Sequence, residues 1–419
     1  MTPRSFQRLN CPISSSGPHR AFKLVFVPLL IFCLLSQLAL VWTQLEYIRD
    51  GYFDFPLYYG AAKIIHDGNG TKLYDLEVQK EYQQRFRVAD IDRDLPFNHP
   101  PYELLLLRVP ANFSFSVALA LWTAMNISFL ALILFRLFPL VDARHRYVFT
   151  LMLFAYFPTI TTLKMGQDSV ITTFLLVETF VSLKRKHYAM AGSVLALGLY
   201  KPHFVLPLAG ILILQRRWLS VLSFAFMALV LSAISLAMVG WDGLIGLLSL
   251  WLPMIQRGHV VWPELMTNLR GLVYIVLDLW NSAEATNVLT LGLSLLAYFV
   301  TCRLWPRAVD EQSELFDLGF ALAVVMTALV SFHMYSYDGT VLVIPLIIML
   351  NHVLKQSHPY TMEHRVFLTI LIALFIPLVP NALLSAALLA WWALPSLVIF
   401  AVIAIEIRRR FPVGVKVGA

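Results

Sequence analysis

Residues 115–146 read FSVALALWTAMNISFLALILFRLFPLVDARHR. No residue from Phe115 to Phe135 is charged, and the run then meets Arg136, Arg144 and Arg146. At about 1.5 Å per residue a helix of this length crosses the ~30 Å hydrocarbon core of a bilayer. Basic residues gathered at one end mark the cytoplasmic side. The same unit recurs through most of the chain. Further runs cover approximately 21–45, 147–164, 169–183, 188–200, 202–214, 218–239, 287–304, 315–333, 340–354, 365–381 and 388–407. The expectation is an all-α polytopic membrane protein with about 12 transmembrane or half-spanning helices.

Composition agrees. Of 419 residues, 59% are hydrophobic and 14% charged, against roughly 45–50% and about 25% in soluble proteins. The chain carries 32 Lys+Arg and 25 Asp+Glu, and 20 of the 32 sit at span ends that alternate onto one side. The basic excess therefore reports topology, with both termini inside, rather than a nucleic-acid partner. Membrane lipids are the surroundings this surface implies. Residues 1–20 read as a cytoplasmic tail, 21–407 as the transmembrane domain and 408–419 as a second cytoplasmic tail. The run after Arg20 is longer than the roughly 7–15 residues of a signal-peptide core and lacks a small-residue cleavage site, so it reads as a retained anchor. Cys11, Cys33 and Cys302 have no paired or metal-ligand spacing, and neither disulfide nor structural zinc is expected. The absence of a phosphate-binding loop, of G-x-G-x-x-G after a strand and of H-E-x-x-H disfavours a nucleotide-driven pump.

Two long loops fall outside, 46–113 and 240–286. In the first, Pro56 followed by Leu57, Ala61, Ile64 and Ile65 predicts a short amphipathic helix on the membrane surface, ended by Gly68. Asp54 stands just before it. A carboxylate at a helix N-terminus near an apolar boundary suits a catalytic base, and it equally suits an ordinary N-cap. After Asp90, Asp92, Arg93 and Asp94 comes Phe97-Asn-His99-Pro100-Pro101-Tyr-Glu103, with Leu104–Val109 either re-entering or lying flat. The second loop holds Trp241, Trp251, Trp262 and Trp280, the composition of an interfacial belt or of a substrate groove.

Lys186 and Arg216 both belong inside, yet only about 29 residues separate them. Each leg reaches roughly 20 Å, short of the core. A hairpin with a polar tip, Tyr200-Lys201-Pro202-His203, satisfies this, as does one long kinked helix. Five histidines fall outside: His66, His99, His203, His259 and His333. His333 and the trio Lys164, Gln167 and Asp168 mark outer span ends, so a shared polar cavity is expected there, with snorkelling an alternative for Lys164.

Several of these segments resemble, in order over residues 50–350, the polyprenol-phosphate-mannose-dependent mannosyltransferases of glycosyltransferase family 87, members of the GT-C superfamily. The residues are Gly51-x-x-Asp54-Phe55-x-x-Tyr58-Tyr59-x-Ala61-Ala62, Leu73-Tyr74-Asp75, Phe97-x-x-Pro100-Pro101, Leu121-Trp122-x-x-x-Asn126, Gly166-Gln167, Lys201-Pro202-His203, Asn268-x-Arg270-Gly271 and Ser331-x-His333. The sequence departs from the family pattern at His99, where Tyr is usual, and at Asp168-Ser169, where Asn usually follows shortly after Gly-Gln. The resemblance implies a GT-C-like bundle with amphipathic helices in the first outer loop. It implies an inverting transferase in the plasma (inner) membrane of a bacterium, multi-pass, with its site facing outward. The partners would be a polyprenyl-phosphate sugar donor and a lipid or glycan acceptor. Asp54 is the candidate base, with Asp50, Asp75 and Asp168 its competitors. Tyr58, Tyr59, His99, Gln167, Asp168, Lys201, His203, Asn268, Arg270 and His333 are candidate substrate contacts, Lys201 and His203 for the donor phosphate. No cofactor and no metal are expected. The alternatives are a secondary transporter, a lipid-linked oligosaccharide polymerase or a non-catalytic scaffold.

Overall fold

The apolar runs fold as helices whose ends lie close to the basic residues that bound them. A computed structural model describes residues 17–86, 96–257, 262–278, 283–306, 309–356, 360–385 and 388–410. Among the described residues every regular element is helical, and the chain is an all-α polytopic membrane protein. The run at 115–136 is the helix Phe115–Leu137, that at 169–183 is Ser169–Lys184, and that at 202–214 is Pro202–Leu214. Most of both expected tails, together with Asp90, Asp92, Arg93, Asp94, His259 and Trp280, lies outside the described residues.

The expected count of about twelve helices divides by length. Six described helices are long and apolar enough to cross a membrane alone, and a bent pair makes a seventh. In that pair, Ala143–Ala155 and Phe157–Met165 meet at 46°. The break sits at Tyr156, whose ψ is 122°. Pro158 follows, with no N–H to give and a ring that excludes a continuous turn. Other apolar elements are shorter: 16 residues in Ser169–Lys184, 17 in Glu314–Val330 and 13 in Met362–Leu374.

Between Lys186 and Arg216 the chain forms the hairpin, not a single long helix. Tyr188–Leu197 rises to the tip and Pro202–Leu214 returns. Both far ends converge on one carboxylate, since the Tyr188 hydroxyl donates to Glu311 at 2.9 Å and Arg217 Nη1 at 2.6 Å. Similar pairs tie the other basic ends together, Arg136 to Glu178 and Lys184 to Asp317. The span expected at 218–239 is helical and continues to Arg257 beyond a break at Gly240.

Two hydrophobic clusters organise the molecule. The larger is built around Glu314–Val330 and Val343–Lys355, most of whose residues are buried. The second lies under the stretch expected to form the first outer loop, where Phe55, Tyr58, Tyr59, Phe97 and Trp122 pack together. The amphipathic helix predicted from Pro56 exists as Phe55–His66. It does not rest on a lipid surface, because Tyr58, Tyr59, Ala61, Ala62 and Ile64 are all buried in protein. Leu104–Val109 belongs mainly to a flat 3-10 helix, Pro101–Leu107, with Glu103, Leu104 and Leu107 buried. At roughly 25 cal/mol per Å² of apolar surface, this packing holds the outer loop to the bundle, and the candidate site lies where the two clusters meet.

Candidate active site

The helix Phe157–Met165 stops at Gly166, whose φ of 71° lies in the left-handed region. That turn is pressed onto the start of the Phe55–His66 helix. A Cβ on Gly166 would lie 2.6 Å from Phe55 Cβ. Trp122 Nε1 donates to the Gly166 carbonyl at 2.9 Å, and the Asp54 amide donates to the Met165 carbonyl at 3.1 Å. These three contacts bring Gln167 beside Asp54. Gln167 Nε2 donates to Asp54 Oδ2 at 2.7 Å, and the Tyr58 hydroxyl donates to Gln167 Oε1 at 2.7 Å. An ionised carboxylate can only accept, so these partners fix which way the amide faces. Although Asp54 occupies the N-cap position, its side chain makes no capping hydrogen bond. The capping alternative therefore does not describe this carboxylate.

Replacing Gly166 by Ala should cost about 1–3 kcal/mol, the usual strain of a side chain held at positive φ, before the collision with Phe55 is counted. The expected result is a lowered melting temperature in detergent together with reduced turnover, since Gln167 moves with the turn. A Gly166→Ala protein with wild-type melting and turnover would show that the turn does not position the site.

A second group of charges lies deeper. Lys201 Nζ reaches Asp168 Oδ1 at 2.6 Å, Asp338 Oδ1 at 2.6 Å and Ser169 Oγ at 2.7 Å. The ammonium donates hydrogen bonds to Ser169 Oγ and Asp338 Oδ1 and pairs with Asp168 Oδ1 as an ion. Ser169 Oγ donates in turn to Asp338 Oδ1 at 2.9 Å, and the Tyr335 amide donates to Asp338 Oδ2 at 3.1 Å. Lys201 lines the cavity, and a phosphate there would compete with these carboxylates for its ammonium. Next to it, His99 Nδ1 lies 2.7 Å from Glu103 Oε2 and 3.9 Å from Asp168 Oδ2. Burial pushes the Glu103 carboxyl above the usual carboxylate range. The two positions at which the sequence departs from its family pattern, His99 and Asp168, are therefore neighbours in space.

A cavity of about 280 Å³ opens in front of these groups, lined among others by Asp54, Tyr58, His99, Gln167, Lys201 and His203. His333, Tyr337 and Asp338 close another side. Burial pushes the His333 imidazole down to about 4, so it is neutral at pH 7 and offers one donor and one acceptor. Asp168 lies behind the wall, fully buried. Three further expected contacts, besides Asp168, are absent from the lining. The Tyr59 hydroxyl donates to the Phe113 carbonyl at 2.6 Å. Asn268 joins two segments, donating to the Ser331 carbonyl at 2.7 Å while accepting from the Gly271 amide at 3.0 Å. The Arg270 guanidinium stands 4.5 Å over the Phe332 ring, close enough to His333 to act on it electrostatically.

Glu103, Ser169, Tyr337 and Asp338 complete the site and were missing from the expected set. Glu103 had a signal, because it lies four residues after His99 in a stretch too short to cross. Asp338, an acid at the very start of an apolar span, had another.

Comparison with known proteins gives one finding. The family model described as Glycosyltransferase family 87 matches residues 97–334, more than half of the chain. It covers His99, Gln167, Asp168, Lys201 and His333, whereas Asp54 precedes the matched residues. No curated protein and no solved structure matches the chain.

Proposed function

The chain belongs to glycosyltransferase family 87, and from that premise we propose that this membrane glycosyltransferase takes mannose from a polyprenyl-phosphate donor. The acceptor is a hydroxyl of a lipid or glycan. Transfer takes place with inversion on the outer face of a bacterial plasma membrane. GT-C placement is consistent with the family. The observation that bears most weight is the Tyr58–Gln167–Asp54 chain at the cavity wall. It orients one carboxylate toward a pocket through which lipid-borne substrates can enter.

Inversion needs a single displacement. Asp54 removes the proton of the acceptor hydroxyl, the acceptor oxygen bonds to the anomeric carbon, and the bond from that carbon to the phosphate oxygen breaks. The polyprenyl phosphate leaves as a weakly basic anion, so cationic stabilisation serves it better than a general acid. With Lys201 held by Asp168, Asp338 and Ser169, that contact is assigned to Arg270, whose guanidinium stands over the Phe332 ring outside the cavity lining and would have to turn toward the phosphate when the donor binds. His203 and His333 donate neutral hydrogen bonds to phosphate or sugar. Lys201 and Asp168 position the wall rather than touch the donor.

Incubating purified protein with radiolabelled polyprenyl-phosphate-mannose and a membrane lipid extract should yield a labelled acceptor of inverted anomeric configuration. Label that stays on the donor, or passes only to water, would reject the assignment. A hydrogen bond to a charged group contributes about 1.5–3 kcal/mol, and 1.4 kcal/mol is tenfold. Arg270→Met should accordingly lower kcat/KM for the donor roughly ten- to a hundredfold. Unchanged donor kinetics in that variant would remove Arg270 from the site.

A further inference from the structure

His99, Glu103 and Asp168 bring one ring nitrogen and two carboxylates together, with ligand atoms all within 4.8 Å of one another. The Glu103 and Asp168 side chains are 1% and 0% exposed. Glu103 Oε1 and Asp168 Oδ2 are buried and accept no hydrogen bond from other residues. Glu103 and Asp168 lie within hydrogen-bonding reach of each other, so a proton on the Glu103 carboxyl, or a metal ion in its place, lies between them. Lys201 donates to Ser169 and Asp338, and the surrounding phenols are committed elsewhere: Tyr58 to Gln167 at 2.7 Å, Tyr102 to the Leu197 carbonyl at 3.1 Å and Tyr200 to Thr172 at 3.0 Å. The group holds three buried carboxyl groups, Glu103, Asp168 and Asp338, beside one ammonium. A metal ion that displaces the proton between Glu103 and Asp168 would compensate both at once.

We propose that His99, Glu103 and Asp168 bind one divalent transition-metal ion of the Zn²⁺ or Mn²⁺ type. The ligands are His99 Nδ1, a Glu103 carboxylate oxygen and Asp168 Oδ2. One imidazole with two carboxylates suits either ion. Ligands about 2.0–2.2 Å from a tetrahedral Zn²⁺ lie roughly 3.3–3.6 Å apart, and the 2.7 and 3.9 Å separations from His99 Nδ1 bracket that value. His99 lines the cavity, which leaves a water a route to the remaining position. Sugar transfer as derived above takes no step through this ion. Its effect is to hold the wall bearing Lys201 and to balance the charge behind it. The other compact His–Glu group, His352, His364 and Glu406, already has a cation on its single carboxylate, Arg410 Nε at 2.5 Å from Glu406 Oε1.

The test uses the full chain purified in detergent, stripped with chelator and then supplied with ZnCl₂ or MnCl₂ alone. Metal is counted by mass spectrometry after gel filtration, and thermal unfolding is followed with and without each ion. Wild type should retain about one ion per chain and melt several degrees higher with it, as expected when a ligand binds the folded state alone. Glu103→Gln and His99→Gln should each lose at least tenfold in affinity while eluting as wild type does. Failure of wild type to bind either ion overturns the proposal. So does binding by both variants at wild-type affinity, which would place the ion elsewhere.

Discussion

Asp54→Asn should lose turnover by about 10²–10⁴-fold, the usual contribution of a positioned base, with donor affinity close to wild type. Asn is nearly isosteric, and its oxygen can still accept from Gln167 Nε2, so the Tyr58–Gln167 chain keeps its geometry. Only the capacity to take a proton is removed. Helix capping cannot explain a loss, because the Asp54 side chain makes no capping bond and Asn caps about as well as Asp. Steady-state rates and donor equilibrium binding measured on one preparation separate these effects. Near-normal transfer by Asp54→Asn, with loss confined to Asp168→Asn, would move the base to the second residue.

Lys201→Met should act on folding first. Its ammonium lies between Asp168 and Asp338, both buried. Removing one partner of a buried ion pair costs about 3–5 kcal/mol because the orphaned charge stays behind. A large drop in melting temperature and in yield of monodisperse protein is the expected result, with donor affinity of the surviving folded fraction nearly unchanged. Adding Asp338→Asn should recover part of the loss. The opposite pattern, wild-type melting with donor binding weakened tenfold or more, would return Lys201 to the phosphate.

Much of this architecture was legible because a bilayer leaves the chain few options. Apolar runs between basic clusters had to be helices, and the limits at 115–137, 169–184 and 202–214 fall within a residue or two of the runs themselves. Length arithmetic alone pointed to the hairpin tip at Lys201. The placement of Asp54, Gln167, His203 and His333 on one cavity was likewise readable, since each is a polar group at the same end of an apolar run. The partners of Lys201 were not. Asp338 lies 137 residues from it and Asp168 33 residues away, and no local periodicity links them. A cation before a helix looks the same whether it awaits a phosphate or already holds two carboxylates. Asn268 and Tyr59 stand off the cavity lining for a related reason. Both satisfy backbone carbonyls from distant segments, an obligation of buried chain that composition does not reveal.

The shortness of Pro202–Leu214 bears on the energetics of the proposed prenyl-linked donor. Thirteen residues give a helix of about 20 Å, so if its basic end lies at one surface of a ~30 Å hydrocarbon layer its polar start would lie roughly 10 Å below the other. Withdrawing an alkyl chain into water costs about 0.8 kcal/mol per methylene, or roughly 4 kcal/mol for each five-carbon unit. An enzyme whose pocket stood proud of the membrane would oppose that work at every turnover. A sunken pocket would reverse the demand. The head group of such a donor would dip inward while its prenyl tail stayed dissolved, and the work would become that of dehydrating a sugar phosphate, which the histidines and Gln167 of the lining are equipped to offset.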